Sequence, residues 1–165
     1  MENSDAALWY PVQYEGFERS PNTFYSGNTI NQQADPIIEW CLQNNYSRVS
    51  LIGSDYNFPR MFNRAFRAIA ANNGLEIVSE QYIPFTNPAE LRGRSLFWKN
   101  NADIVVNTVN GDGNKHLFKQ IEIEFPNLIE RPQVISTSLT ESETFNDPKL
   151  FEGSLIIGGL SLIHI

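Results

Sequence analysis

Ala102-Asp-Ile-Val-Val-Asn-Thr-Val-Asn-Gly-Asp-Gly-Asn114 decides the fold class. Its Ile104-Val-Val106 core is β-branched and apolar on both faces, as a strand buried between two layers must be. Asn110-Gly-Asp-Gly113 is a turn, and the residues from Asn114 to Phe125 read as a helix. The same strand–turn–helix order recurs upstream. Ser47 to Gly53 predicts a strand, and Pro59 to Ala71 a helix. That helix sets Phe62, Phe66 and Ile69 on one side and Arg60, Arg64 and Arg67 on the other. Asn72-Asn-Gly74 stops it, and Glu76 to Ile83 predicts the next strand. Asn87-Pro-Ala-Glu90 reads as a helix start, the helix running through Leu96-Phe-Trp98. Nearer the N-terminus, Ala7 to Val12 is a short strand and Glu15 to Thr29 is rich in turn residues. Asp35-Pro36 predicts an N-cap and first helical residue ahead of Ile37 to Leu42, with Asn44-Asn45 as the stop. Downstream, Gln133 to Ser138 and Ser154 to Ile157 add strands. The class is α/β, with a largely parallel sheet flanked by helices. Ligands in such sheets bind beyond the carboxyl ends of the strands. Those ends are Tyr10 to Gln13, Ser54 to Phe58, Asn107 to Asn114 and Ser136 to Glu143.

Composition narrows the function. The 165 residues suit one ordinary domain, and 41% of them are hydrophobic, enough for a core. Lys and Arg total 12 against 19 Asp and Glu, a net charge of -7. Nucleic acid is therefore excluded as a default partner, since phosphate recognition needs clustered cations. No apolar run approaches the roughly 20 residues of a membrane span. The single cysteine, Cys41, allows no intrachain disulfide, and its neighbours Trp40 and Leu42 suggest a buried, inert thiol. Met1-Glu-Asn-Ser-Asp5 has neither the basic nor the apolar region of a signal peptide.

Catalytic chemistry is poorly supplied. His116 and His164 have no partners at metal-ligand spacing, so no metal is expected. Gly111-Asp-Gly113 lacks the third glycine of a dinucleotide loop, so no cofactor is expected either. Glu122 and Glu124 are two apart on a helix and do not share a face. The strand ends are different. Tyr10, Tyr14, Tyr56 and Phe58 are aromatics just after strands, beside Ser54, Thr108, Asn110, Ser136, Ser138 and Glu141. Taken singly, Tyr56 and Phe58 can be packing residues, Ser138 a turn former and Glu141 a first-turn acid. Together they describe a small cleft with aromatic walls and hydrogen-bonding groups. No nucleophile–base pair is among them, so binding is favoured over catalysis and no catalytic residue is assigned.

Several blocks resemble one family in order. They are Leu8-Trp-Tyr-Pro-Val-Gln-Tyr-Glu-Gly-Phe17, Ser20-Pro-Asn22, Asn31-Gln-Gln33 and Gly53-Ser-Asp-Tyr-Asn-Phe-Pro-Arg60. Glu80-Gln-Tyr-Ile-Pro84, Asn107-Thr-Val-Asn-Gly-Asp-Gly-Asn114 and Ser136-Thr-Ser-Leu-Thr-Glu-Ser-Glu143 continue the series. Over about residues 5 to 155 the chain resembles the urea and short-chain amide binding proteins. The Tyr-Pro-Val-Gln-Tyr-Glu-Gly and Asn-Thr-Val-Asn-Gly-Asp blocks are more similar to the urea-binding component of an ABC transporter than to the cytoplasmic amide sensor that regulates amidase expression.

The resemblance implies a type I periplasmic-binding-protein fold, with two lobes and the ligand between them. Residues 1–27 are then the end of the first lobe, Ser26 to Ile30 a hinge crossing, and 28–155 the second lobe. Met1 is expected to lie inside a longer reading frame, so the absent signal peptide says nothing of location. Residues 156–165 are set apart as a tail that need not be native. The last six, Leu160 to Ile165, are similar to a translated sequencing adapter, with an ordinary apolar strand end as the alternative. The implied ligand residues are Tyr10, Tyr56, Phe58 and Ser138, with Glu141 in the same loop, and the strand-end residues Thr108 and Ser54 complete the candidate set. Val12, Gln13 and Phe58 depart from the amide sensor, which has Thr, Pro and Tyr there. The implied function is capture of urea or a short amide and delivery to a permease, outside the cytoplasm in the periplasm or at the cell surface. The alternative is the cytoplasmic sensor.

Overall fold

The computed structural model describes residues 6–16, 19–84, 86, 87, 90 and 102–158, and the backbone of 162–164. In chain order the elements are β1 (Leu8–Tyr10), β2 (Thr23–Tyr25), α1 (Ile30–Gln43), β3 (Arg48–Ser54), α2 (Asn57–Asn72) and β4 (Glu76–Ile83). They continue as β5 (Ile104–Thr108), α3 (Gly113–Glu124), β6 (Gln133–Ser136), α4 (Glu141–Asn146), β7 (Leu155–Ile157) and β8 (Leu162–His164). A short 3-10 turn occupies Leu128–Glu130. The helix expected through Leu96 to Trp98 lies outside the described residues.

β4-β3-β5-β6-β7-β8 form a six-stranded sheet, and β1-β2 a separate two-stranded one. Every pairing from β4 to β7 is parallel. The two-residue period of a strand assigns its faces. Val49, Leu51, Ile104, Val106, Ile135, Leu155 and Ile157 meet α1 and α2 on one face. Ile52, Val105, Val134 and Ile156 meet Leu117, Phe118 and Ile121 of α3 on the other. α2 brings Phe58, Phe62 and Phe66 at helical spacing, the last two fully buried.

α1 corrects one expectation. It begins at Ile30, with Thr29 and Gln32 forming a capping box, and Pro36 lies inside it. The Thr29 N–H donates to Gln32 Oε1 at 2.9 Å. Buried Gln33, Ala34 and Ile37 hold the helix in register through the proline. The stops read correctly. Asn44 is the C-cap, Asn45 takes a φ of 58°, and Gly74 takes 77° after α2. The strand expected at Ser154 to Ile157 forms as β7 (Leu155–Ile157). Ile156 and Ile157 are buried in β7, so they belong to the sheet rather than to a tail. The backbone of Leu162–His164 pairs antiparallel with β7.

Candidate functional site

The carboxyl ends of β3, β5 and β6 form one edge, shaped by the hydrogen bonds available to polar side chains there. Ser136 at the end of β6 is fully buried. Its Oγ accepts from the N–H groups of Ser138 (3.3 Å) and Leu139 (2.9 Å), which bends the chain away from the strand. Asn107 of β5 donates through Nδ2 to that same Oγ (3.2 Å) and to Asn114 Oδ1 (2.9 Å). Asn114 donates to Glu143 Oε1 at 3.1 Å. Glu143 in turn accepts from the Thr140 N–H (2.8 Å) and hydroxyl (2.7 Å), capping α4. A continuous polar network therefore fixes the loop carrying Ser138 and Glu141.

The segment before α1 lies across this edge. Gln13 donates through Nε2 to the Thr137 carbonyl at 3.2 Å. Glu15 accepts from Asn57 Nδ2 at the start of α2. Tyr56 is half-buried against the core cluster that includes Phe58. Burial raises its phenol pKa, and the charge of Glu15 raises it further. Tyr10, at the end of β1, meets Tyr25 edge-on at 5.8 Å, and Tyr14 meets the same ring at 4.9 Å.

The expected site residues divide into two sets. Tyr56 and Ser138 lie partly exposed on this edge, Tyr10 is partly exposed at the end of β1, and Glu141 is exposed at the start of α4. Phe58, Ser54 and Thr108 are engaged inside the fold. Phe58 is in the core, 6.1 Å from the Phe62 ring. Ser54 Oγ accepts from the Asn110 N–H at 3.0 Å, and Thr108 Oγ1 donates to the Ile52 carbonyl at 3.2 Å. The Thr108 hydroxyl covers Gly53, where an added Cβ would collide with it and lie 2.8 Å from Pro59. These side chains point onto the sheet faces rather than off its edge.

Sequence reasoning missed three residues here. Tyr25 lay in a stretch read as turns, and only its pairing with Tyr10 reveals it. Gln13 and Gln33 both reach the Thr137 carbonyl from far along the chain. Their presence in the quoted family blocks was the available signal.

Cys41 is buried, and its thiol is pushed up to about 12, chiefly by that burial and then by the charge of Asp103. No group of three or more His, Cys, Asp or Glu converges as a metal site among the described residues. No helix among them is long and apolar enough to cross a membrane. A concavity lined by Phe118, Leu128, Arg131 and Gln133 opens at the opposite end of β6.

Fold and edge together define a largely parallel α/β domain with a second segment laid across the carboxyl ends of its strands. The chain belongs to the periplasmic binding protein domain family, whose sequence profile matches residues 1–156. It is a binding domain, not an enzyme. Its fold is similar to that of a solute-binding protein of an ABC transporter from Rhodopseudomonas palustris in complex with 4-hydroxybenzoate. That match has a TM-score of 0.68 at 19% identity, covering 83% of this chain and 38% of that one. An ABC transporter substrate-binding protein from Desulfitobacterium hafniense in complex with Leu gives 0.64 at 13%, covering 91% and 43%. An extracellular ligand-binding receptor from R. palustris gives 0.67 at 15%, covering 89% and 42%. The chain thus spans about two fifths of the length of these solved relatives.

Proposed function

We propose that the parent of this chain binds urea or a short-chain aliphatic amide between two lobes, as the solute-binding component of an ABC-type importer. On this reading residues 1–27 end the first lobe and 28–155 make most of the second. The parent acts in the periplasm or at the cell surface and hands its ligand to a membrane permease.

The observation that carries the reading is the Gln13–Thr137 contact, which lays the Tyr10 segment against the loop of Ser138. The chemistry of that edge then suits a small neutral amide. The faces of Tyr10 and Tyr56 offer flat walls to a planar ligand. The Ser138 hydroxyl is suited to donate to a carbonyl oxygen, and the Glu141 carboxylate to accept from amide N–H groups. A carboxylate ligand, as in the benzoate-bound and Leu-bound relatives, gains most from a cation. Arg60, the cation nearest Tyr56 in sequence on α2, is already paired to Asp55 at 2.6 Å and stacked on Tyr82. A site built for amide N–H groups discriminates against ligands lacking them, because a buried acceptor left unpaired costs about 1–3 kcal/mol.

The test is calorimetry of the full-length parent with urea, acetamide, formamide, leucine and 4-hydroxybenzoate. Saturable binding of urea or acetamide is expected. Tight binding of leucine or 4-hydroxybenzoate with no amide response would sink the assignment.

A further inference from the structure

The concavity at the amino end of β6 is built differently from the strand-end edge. Its volume is about 280 Å³. Its floor is apolar because of sequence spacing. Phe118 and Ile121, three apart on α3, share the face that packs on the sheet, and Val134 of β6 belongs to the same cluster. Buried Leu150 joins them, and Leu128 of the 3-10 turn, 49% exposed, stands at the rim.

One cation is set into this surface. Arg131 follows the 3-10 turn, and its side chain is only 13% exposed. Its Nε–H donates to the Phe125 carbonyl at 3.0 Å, which ties off the end of α3. That bond explains where the side chain lies but leaves its Nη edge unspent. Neither Nη group donates a hydrogen bond to a described residue. Glu122 Oε1 stands 3.7 Å from Nη2, too far for a hydrogen bond, and its own side chain is 56% exposed. A guanidinium drawn out of water with most of its donors unused is costly, and an oxyanion that takes them offsets that cost.

We propose that this concavity is a second ligand site, which takes a small monocarboxylate with an apolar body. The carboxylate meets the planar Nη edge of Arg131, and the hydrocarbon lies on Phe118, Val134 and Leu150. Glu152, exposed on the same wall, repels a second negative charge and so disfavours dicarboxylates and phosphate. Ligand pockets commonly start at about 300 Å³, so the occupant is small, an acid of about five carbons. The inference uses only residues between Phe118 and Glu152 and is independent of the amide reading.

The test is an NMR titration of the isotope-labelled full-length parent with sodium isovalerate, and with isoamyl alcohol as its uncharged counterpart. The backbone amides of Leu128, Gln133 and Gly153 report the concavity, and those of Ser54 and Ser138 report the strand-end edge. Isovalerate should give saturable shifts at the first set. The alcohol should bind about tenfold or more weakly, because the charge-assisted bonds are lost. Inorganic phosphate should give no saturable shift there. Arg131→Gln keeps a donor without the charge and should weaken isovalerate about tenfold or more. Leu128→Asp sets a negative charge at the rim, leaves the Arg131–Phe125 bond in place, and should weaken it about threefold to tenfold. Thermal unfolding checks that both variants fold, and Leu128→Asp decides alone if Arg131→Gln does not. Shifts that never saturate, equal binding of the alcohol, or unchanged affinity in Leu128→Asp overturn the site. Isovalerate shifts confined to Ser54 and Ser138 overturn it too, and also count against the amide reading. A parent that binds no urea overturns only that reading, since the amides around the concavity still report isovalerate.

Discussion

Leu51 and Ile52 in the large sheet are fully buried on opposite faces, whereas Trp9 and Phe24 in the small sheet are 67% and 60% exposed. Both sheets are parallel where these residues lie, so hydrogen-bond pattern does not explain the difference. Cover does. α1 and α2 close one face of the large sheet and α3 the other. Trp9 and Phe24 meet mainly each other, stacked at 6.2 Å. A parallel pair without cover on both faces is not a stable unit by itself. The small sheet is therefore an arm positioned by the large one, through Gln13 to Thr137 and Glu15 to Asn57.

The most direct way to break this contrast is to remove one ring from each sheet of the 165-residue chain. Phe62→Ala empties a fully buried position between Phe58 and Phe66, and should cost about 3–5 kcal/mol. Phe24→Ala removes an exposed ring and should cost no more than about 0.5 kcal/mol. Thermal unfolding of both variants measures the difference. Equal losses would mean that the arm shares the core's cooperativity.

Tyr56 sits where the two regions meet, packed against the core of the large sheet and beside the charge of Glu15. Tyr56→Ala in the parent should weaken amide binding by about 1–3 kcal/mol, read by calorimetry. Unchanged affinity with an intact fold removes Tyr56 from the site.

The contrast also sets what could be read from the sequence. The bounds of β4 coincide with the expected Glu76 to Ile83, because the Gly74 stop and Pro84 bracket the segment and leave little freedom. The large sheet's order follows from strand–helix alternation, and local pattern carries that signal. β2 was not legible, because three residues in a turn-rich stretch become a strand only by pairing with β1. The start of α1 was misplaced because Pro36 resembles a first helical residue. The Thr29–Gln32 capping box and the buried Gln33–Ala34 pair outweigh it. At the site, strand ends were found correctly, but burial divides them. Phe58, Ser54 and Thr108 point onto sheet faces, and only the three-dimensional register separates them from Tyr56 and Ser138. The convergence of Gln13 and Gln33 on Thr137 bridges more than a hundred residues, a distance at which no local pattern operates.

The smallest expected effect lies at the opposite end of the large sheet, where acid should loosen the clamp between β3 and β5. Asp103 Oδ2 accepts from the N–H groups of Ser47 (2.9 Å) and Arg48 (2.8 Å), clamping the start of β3 to that of β5. Burial alone would raise the Asp103 pKa. The two backbone N–H donors, helped by the charge of Arg48 and the Ser47 hydroxyl, outweigh it and leave the carboxyl below its ordinary 3.8. A carboxylate depressed in the folded state adds stability that is fully present above its unfolded pKa. That stability disappears as pH falls through the folded value. Asp103→Asn keeps an acceptor at the same place but removes the charge that strengthens these bonds. The variant should unfold at lower temperature than the wild type at pH 7. The gap should narrow once the pH drops below about 4, the unfolded range of an aspartate. A gap that stays constant down to pH 2 would mean that the charge of Asp103 contributes nothing to the clamp. The start of β3 would then depend on its apolar faces alone.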